Sequence, residues 1–301
     1  MSSTTAATTV TSGAAPVATG TQNRPRRTRS LGSVVSLVLL SIGAIGMLAP
    51  FIYMVVTALK SAQHAYDLPP DWYPTEFHWE NFSQAINGPL PLLRNMYNSA
   101  FIAALTTLGM LVTAPMAGYA FAQLRFPGRS GLFVLLLASL MVPIQVTVIP
   151  LFLIMRNLQL IDTPWSLILP NITGAFGVFL MRQFFLTLPK ELFEAAKIDG
   201  ANAWTTYRLV ALPLVKNGLS ALGILTFLTS WNAYFAPSVF LNSQDTATLP
   251  LALVLMRGPF STGQLNVMMA ATALAVIPVF VAYLFAQRWI IAGLTQSAVK
   301  G

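Results

Sequence analysis

Pro189-Lys-Glu-Leu-Phe-Glu-Ala-Ala-Lys-Ile-Asp-Gly-Ala-Asn-Ala-Trp-Thr-Thr-Tyr-Arg-Leu-Val-Ala-Leu-Pro213 is the stretch on which the reading of this sequence turns. Five of its first eleven residues are charged, although the 301-residue chain as a whole is only 9% charged. The stretch reads as two short helices split by a glycine. Pro189 suits a first helical position, and Glu191 and Glu194 lie in the opening turns, where the helix dipole favours negative charge. Leu188, Leu192, Ala195 and Ala196 fall on one face at helical spacing, with small residues where another backbone could approach. Gly200 is placed to end the first helix in a left-handed conformation, and Asn202 to cap the second. Trp204, Tyr207 and Ala211 share one side of that second helix, before Leu212-Pro213 turns the chain toward the next apolar run.

Outside this stretch the chain is apolar. It is 55% hydrophobic with a mean hydropathy of +0.66, beyond what a soluble fold of this size can bury. Helices of about 20 uncharged residues cross a bilayer core. Six such spans are expected, at 33–59, 97–122, 131–155, 165–186, 217–240 and 266–287. The fold class is thus all-α and polytopic. Thirteen Lys and Arg (Arg24, Arg26, Arg27, Arg29, Arg125, Arg129, Arg182, Lys190, Lys197, Arg208, Lys216, Arg288, Lys300) fall on the N-terminal side of these spans, against four (Lys60, Arg94, Arg156, Arg257) on the other. Positive charge marks the cytoplasmic side, so both termini and the 189–213 stretch are expected there. The net charge of +8 is then a topology signal and no indication of nucleic-acid binding.

Residues 1–30 are rich in Ser, Thr, Ala and Gly and end in a basic run, as in a disordered cytoplasmic tail. The transmembrane region is expected at 31–301, with a cytoplasmic loop at 187–216. Residues 60–96 carry Trp72, Tyr73, Trp79 and Phe82, an interfacial aromatic belt or a surface for an extracytoplasmic partner. In the second span Ala100 with Ala104, and Ala114 with Gly118, are small residues four apart, which predicts close packing on another helix. Pro115 is expected to kink it. Pro143, Gln145, Thr147 and Pro150 predict a broken outer half for the third span, tolerated where backbone faces protein or a water-filled path. Pro170, Asn171 and Gly174 make the fourth span irregular, and Ser230, Trp231, Asn232, Tyr234 and Pro237 interrupt the fifth.

Several function classes are disfavoured. No span holds an ionisable residue in its apolar core, so an internal proton relay or intramembrane protease is not expected. The chain lacks cysteine, hence disulfides and thiolate metal sites. Its two histidines, His64 and His78, lie in the outer segment. No phosphate-binding Gly-x-x-x-x-Gly-Lys-Ser/Thr loop occurs, so energy for uphill movement must come from another subunit.

Glu194-Ala195-Ala196, three residues, Gly200, nine residues, Val210, one residue, Leu212-Pro213 resembles the Glu-Ala-Ala loop of ABC importer permeases, with Val210 where Ile is usual. Asn98-Ser99, Gly118-Tyr119-Ala120-Phe121-Ala122, Phe176 to Phe184, Ser230-Trp231-Asn232 and the tail from Gly293 extend the likeness to the six-helix subunit of maltose-type carbohydrate permeases. The resemblance implies a type I permease fold in the prokaryotic plasma membrane. Its implied partners are a second permease, two cytoplasmic ATPases that bind and hydrolyse ATP, and an extracytoplasmic sugar-binding protein; this chain itself would carry no cofactor or metal. It assigns ATPase coupling to Glu194, Ala195, Ala196, Gly200, Leu212 and Pro213, and leaves Lys197 and Asp199 as a solvated face. Trp231, Asn232, Tyr234 and Asn171, with Gln145 behind them, are candidates for a sugar path, because aromatic faces and amides suit hydroxyl-rich solutes; the alternative is helix packing. The same fold with glycerol phosphate as cargo, or a channel or scaffold without coupled transport, are the competing readings.

Overall fold

A computed structural model describes residues 31–67, 69, 71–74, 76–257 and 264–298, with side chains omitted at 31, 33, 34, 282 and 285–298. The tail at 1–30 and residues 299–301 lie outside the described residues. Every extended regular element among the described residues is helical. The chain divides into two units, 1–49 and 50–301. In the first, the helix from Val35 to Leu48 is apolar and exposed on all sides, as suits a lipid-facing segment.

The helices are α1 (Leu31–Ala58), α2 (Glu80–Asn87), α3 (Leu92–Gln123), α4 (Arg129–Ser139), α5 (Ile144–Asn157), α6 (Trp165–Asn171), α7 (Ala175–Leu186), α8 (Lys190–Ile198), α9 (Ala203–Leu214), α10 (Lys216–Trp231), α11 (Phe235–Phe240), α12 (Leu249–Leu255) and α13 (Leu265–Ala298). Val35–Ala58, Leu92–Gln123 and Trp165–Leu186 are long and apolar enough to cross a membrane. Two bent pairs raise the number to five if each is one span. The third expected span is such a pair: α4 and α5 meet at 99° around Leu140–Pro143. Pro143 biases the residue before it away from helix, which accounts for the break. The fifth is interrupted too, since α10 stops at Trp231 and α11 starts only at Phe235. The second begins earlier than expected, at Leu92.

The central helix is α3, which packs along α7, α10 and α6. Small residues set the spacing at Ala114 and Gly118, whereas Ala100 and Ala104, expected to pack as closely, are exposed. A Cβ on Gly118 would lie 2.8 Å from both the Arg182 amide nitrogen and Met181 Cβ, so α7 approaches α3 more closely than any side chain permits. Arg182 turns back over this contact. Its Nε donates to the Phe121 carbonyl (3.2 Å), and its guanidinium lies 4.1 Å from the centroid of Phe133.

At the opposite end of α3, side-chain amides tie the chain down. Asn95 Nδ2 donates to the carbonyls of Gln244 (2.8 Å) and Ala247 (2.9 Å), and Asn98 Nδ2 to those of Asp245 (2.8 Å) and Ala247 (3.0 Å). The Leu249 amide donates to Ser99 Oγ at 2.8 Å. These bonds satisfy carbonyls that an irregular segment would otherwise bury unpaired. Asn81 performs the same service for the end of α1, donating to Ala58 and Lys60 carbonyls at 2.8 Å each.

Candidate functional site: the 189–213 element and a cavity between helices

The 189–213 stretch folds as two helices meeting at glycine. Pro189 is the residue before α8, with extended backbone (ψ 137°), rather than the first helical residue. At the other end, the amides of Asp199, Gly200 and Ala201 bond back to the carbonyls of Ala195, Lys197 and Ala196 at 3.0, 3.0 and 2.9 Å. Gly200 has φ +78°, the left-handed conformation that glycine adopts at low cost, and no atom stands within 4 Å of where its Cβ would be. Asn202 then caps α9, its Oδ1 accepting from the Thr205 amide at 2.8 Å. Between Thr206 and Ala211 the helix widens into a π-type turn. Pro213 supplies the reason: it has no N–H, and its ring would crowd the Leu209 carbonyl in a normal helix. Beyond it α10 leaves at 77°.

The element is fixed to the bundle by an aromatic cluster drawn from four helices. Tyr119 of α3 lies 5.5 Å from Phe185 of α7, 6.4 Å from Phe193 of α8 and 5.2 Å from Tyr207 of α9, between ring centroids. Ala211 is buried in the same cluster, and Ala196 is buried on α8. The inward face of α8 is therefore Phe193 and Ala196, while Leu192 and Ala195 are exposed, a rotation from the face expected by spacing. Glu194, Lys197 and Asp199 are also exposed, and none forms an ion pair among the described residues. Ile198, at 87% exposure, stands out from the end of α8, and sequence reading missed it. An isoleucine directly before a helix-ending Asp-Gly was the available signal. Leu212 is half-buried and Pro213 exposed.

A second feature lies in the membrane region. A cavity of about 310 Å³ opens between α3, α6, α7, α10 and α11. Asn171 lines it, its Nδ2 donating to the Leu167 carbonyl at 2.8 Å. The other path candidates go elsewhere. Trp231 is 4% exposed, stacked on Phe227 at 5.9 Å and packed among Leu92, Leu249 and Ala271. It borders, with Asn232, a separate apolar groove against α12 and α13. Tyr234 is exposed and lines neither, and Gln145 is exposed at the start of α5. The cavity is instead faced by Thr226, Thr229 and Ser230 of α10, with Ala233 just past its end, at i, i+3, i+4 and i+7. That periodicity is visible in the sequence.

Residues 109–296 match the family model of the binding-protein-dependent transport system inner membrane component. The chain is 39% identical to the arabinooligosaccharides transport system permease protein AraQ of Halalkalibacterium halodurans over 204 residues, 68% of this chain and 73% of the relative. It is 35% identical to the sn-glycerol-3-phosphate transport system permease protein UgpE of Yersinia pestis over 269 residues, 86% of this chain and 95% of the relative. Among solved structures, a chain of a bacterial ABC transporter involved in the import of the acidic polysaccharide alginate superposes with a TM-score of 0.72 at 23% identity, covering 87% of this chain and 97% of that one. At that identity the likeness concerns the fold, and it agrees with the type I importer permease architecture. The chain therefore belongs to the family of binding-protein-dependent transport system inner membrane components, and is a multi-pass membrane permease of the ABC importer type rather than an enzyme.

Proposed function

We propose that this chain is one of two permease subunits of an ATP-driven sugar importer, with 189–213 as the element through which ATPase motion reaches the membrane. The single observation that carries the coupling role is the two-sidedness of α8. One face holds buried Ala196 and Phe193, whose ring joins the Tyr119–Phe185–Tyr207 cluster, and the other presents Glu194, Ala195 and Ile198 to a partner. An element held this way moves with α3 and α7 as a body, which is what a rigid-body switch between inward-facing and outward-facing states requires. Gly200, Leu212 and Pro213 set the angles at which the chain enters and leaves it.

In this reading ATP is bound and hydrolysed by a pair of partner subunits docked at α8, and the chain itself uses no cofactor. Six spans follow from the uncharged apolar runs, cytoplasmic termini from the distribution of Lys and Arg, and the tail at 1–30 from its composition, which leaves a permease region at 31–301. The membrane is then the prokaryotic plasma membrane. Trp72, Tyr73 and Trp79 are exposed, and this topology puts them on the side where an extracytoplasmic sugar-binding protein would deliver cargo. The names of the AraQ relatives favour a saccharide as cargo.

The test is uptake by the assembled importer carrying Glu194→Lys or Gly200→Arg. Both positions are exposed, so membrane insertion should persist while uptake is lost and ATP hydrolysis no longer responds to cargo. Wild-type uptake in both variants would contradict the coupling role.

A further inference from the structure

The cavity between α3, α6, α7, α10 and α11 has a lining with a consistent chemistry. Six side chains bring hydroxyl or amide groups: Thr106, Asn171, Thr226, Thr229, Ser230 and Thr248. No Lys, Arg, His, Asp or Glu is among the lining residues. Phe176, half-exposed, and the aliphatic Ile144 and Leu225 supply apolar surface.

What distinguishes the hydroxyls is that they are unused. Threonine and serine within helices commonly bond back to the carbonyl four residues earlier, as Thr272 does here to Met268 at 2.8 Å. Thr226, Thr229 and Ser230 make no side-chain hydrogen bond among the described residues. Thr106 and Thr248 are each 3% exposed, and their hydroxyls are buried without a partner. A buried hydroxyl left unpaired is unfavourable, and one χ1 rotation exchanges a threonine's methyl for its hydroxyl at the cavity wall. Thr106 lies fourteen residues into α3, roughly 21 Å along the axis at 1.5 Å per residue. This is close to the middle of the 32-residue helix, and transporter binding sites lie near the bilayer midplane.

Resting on the importer reading above, we infer that this subunit itself carries a cargo subsite in this cavity, and that the subsite takes an uncharged polyhydroxylated solute, a neutral saccharide, and rejects phosphate esters. Free hydroxyls and the Asn171 amide exchange hydrogen bonds with sugar hydroxyls, and Phe176 offers a flat apolar face to ring C–H groups. The one feature favouring an anion is the start of α7, since Gly174, Phe176 and Gly177 line the cavity and no side chain caps that helix. A helix N-terminus supplies about half an elementary charge, whereas a phosphate monoester brings roughly −1.5 to −2. Taking that charge out of water without a cationic partner is strongly unfavourable. The helix end instead orients the lone pairs of a neutral hydroxyl.

The experiment uses the complete importer with its binding protein in proteoliposomes. Uptake of arabinotriose, maltotriose and raffinose is compared with uptake of sn-glycerol 3-phosphate, for the wild type and for Thr226→Val/Thr229→Val. Valine keeps the shape of threonine and removes the hydroxyl. The inference predicts uptake of at least one neutral saccharide, none of the phosphate ester, and a half-saturating concentration raised about tenfold in the double variant, with thermal stability unchanged or higher. Saccharide uptake unchanged in the variant overturns the subsite. Uptake of sn-glycerol 3-phosphate, with or without a saccharide, overturns the neutral-cargo assignment and leaves the importer reading standing. Wild-type complex that hydrolyses ATP without response to loaded binding protein defeats the importer reading itself, and the subsite with it.

Discussion

Asp162 holds Ser243 twice, its Oδ1 accepting from the Ser243 backbone amide at 3.0 Å and from its hydroxyl at 3.3 Å. The same oxygen accepts from the Asn242 amide at 2.8 Å and from the Thr246 hydroxyl, while the Asp162 amide donates to the Phe240 carbonyl at 2.9 Å. One carboxylate thus locks the turn after α5 to the segment between α11 and α12, eighty residues away in sequence. Asp162 has φ +61°, a conformation Asp and Asn tolerate better than most residues.

Partial burial works against ionisation of Asp162, but the bonds from Thr246, Asn242 and Ser243 outweigh it and hold its carboxyl below the ordinary aspartate range. A depressed folded-state pKa gives stability that is present above the unfolded value of about 3.9 and lost as pH falls through the folded value. Asp162→Asn keeps size and backbone preference while removing the charge, and should cost about 1–2 kcal/mol. Thermal melts at pH 7 and at about pH 3 check this: the gap between wild type and variant should be wide at the first and narrow at the second.

Phe193→Ala removes the ring that fixes α8 to Tyr119. Its half-buried position puts the expected loss at about 2–3 kcal/mol, below that of a fully buried phenylalanine. The more specific expectation is functional: in the assembled importer, ATP hydrolysis should continue while uptake falls, because α8 no longer carries α3 and α7 with it. Uptake per ATP hydrolysed is the quantity to measure.

Gly118→Ala inserts a methyl 2.8 Å from Arg182 N and Met181 Cβ, where backbone has to yield. Overpacking of this kind should cost about 1–3 kcal/mol. Gly131→Ala, with nothing within 4 Å, is the matched control and should be neutral or slightly stabilising. Melting temperatures in detergent separate the two.

The features readable from sequence were those that depend on one residue's own chemistry. Gly200 at positive φ, Asn202 as a cap and the close approach at Gly118 follow from local rules, and all three are present. Facing was harder to read. Residues 188–198 hold apolar side chains at Leu188, Leu192, Phe193, Ala195, Ala196 and Ile198, enough to outline more than one stripe; the Tyr119 cluster takes Phe193, and Ala196 is the buried alanine beside it on the helix. The same holds for the fifth span. Trp231 and Ser230 are neighbours in sequence but lie on different faces of α10, one buried against α12 and α13 and the other on the cavity. Only the packing of α10 between α3 and α13 decides which faces the cavity.

The central claim, that α8 is the contact through which a partner ATPase acts, is tested most directly at Ile198. The chain has no cysteine, so Ile198→Cys gives a single labelling site. With cysteines placed around the cleft of the ATPase subunit, oxidative crosslinking of the assembled, transport-competent complex should give a crosslink whose yield changes between nucleotide-free and ATP-bound states. A complex that still transports but gives no crosslink from this position, while a cysteine on the opposite end of the chain does, would contradict the account.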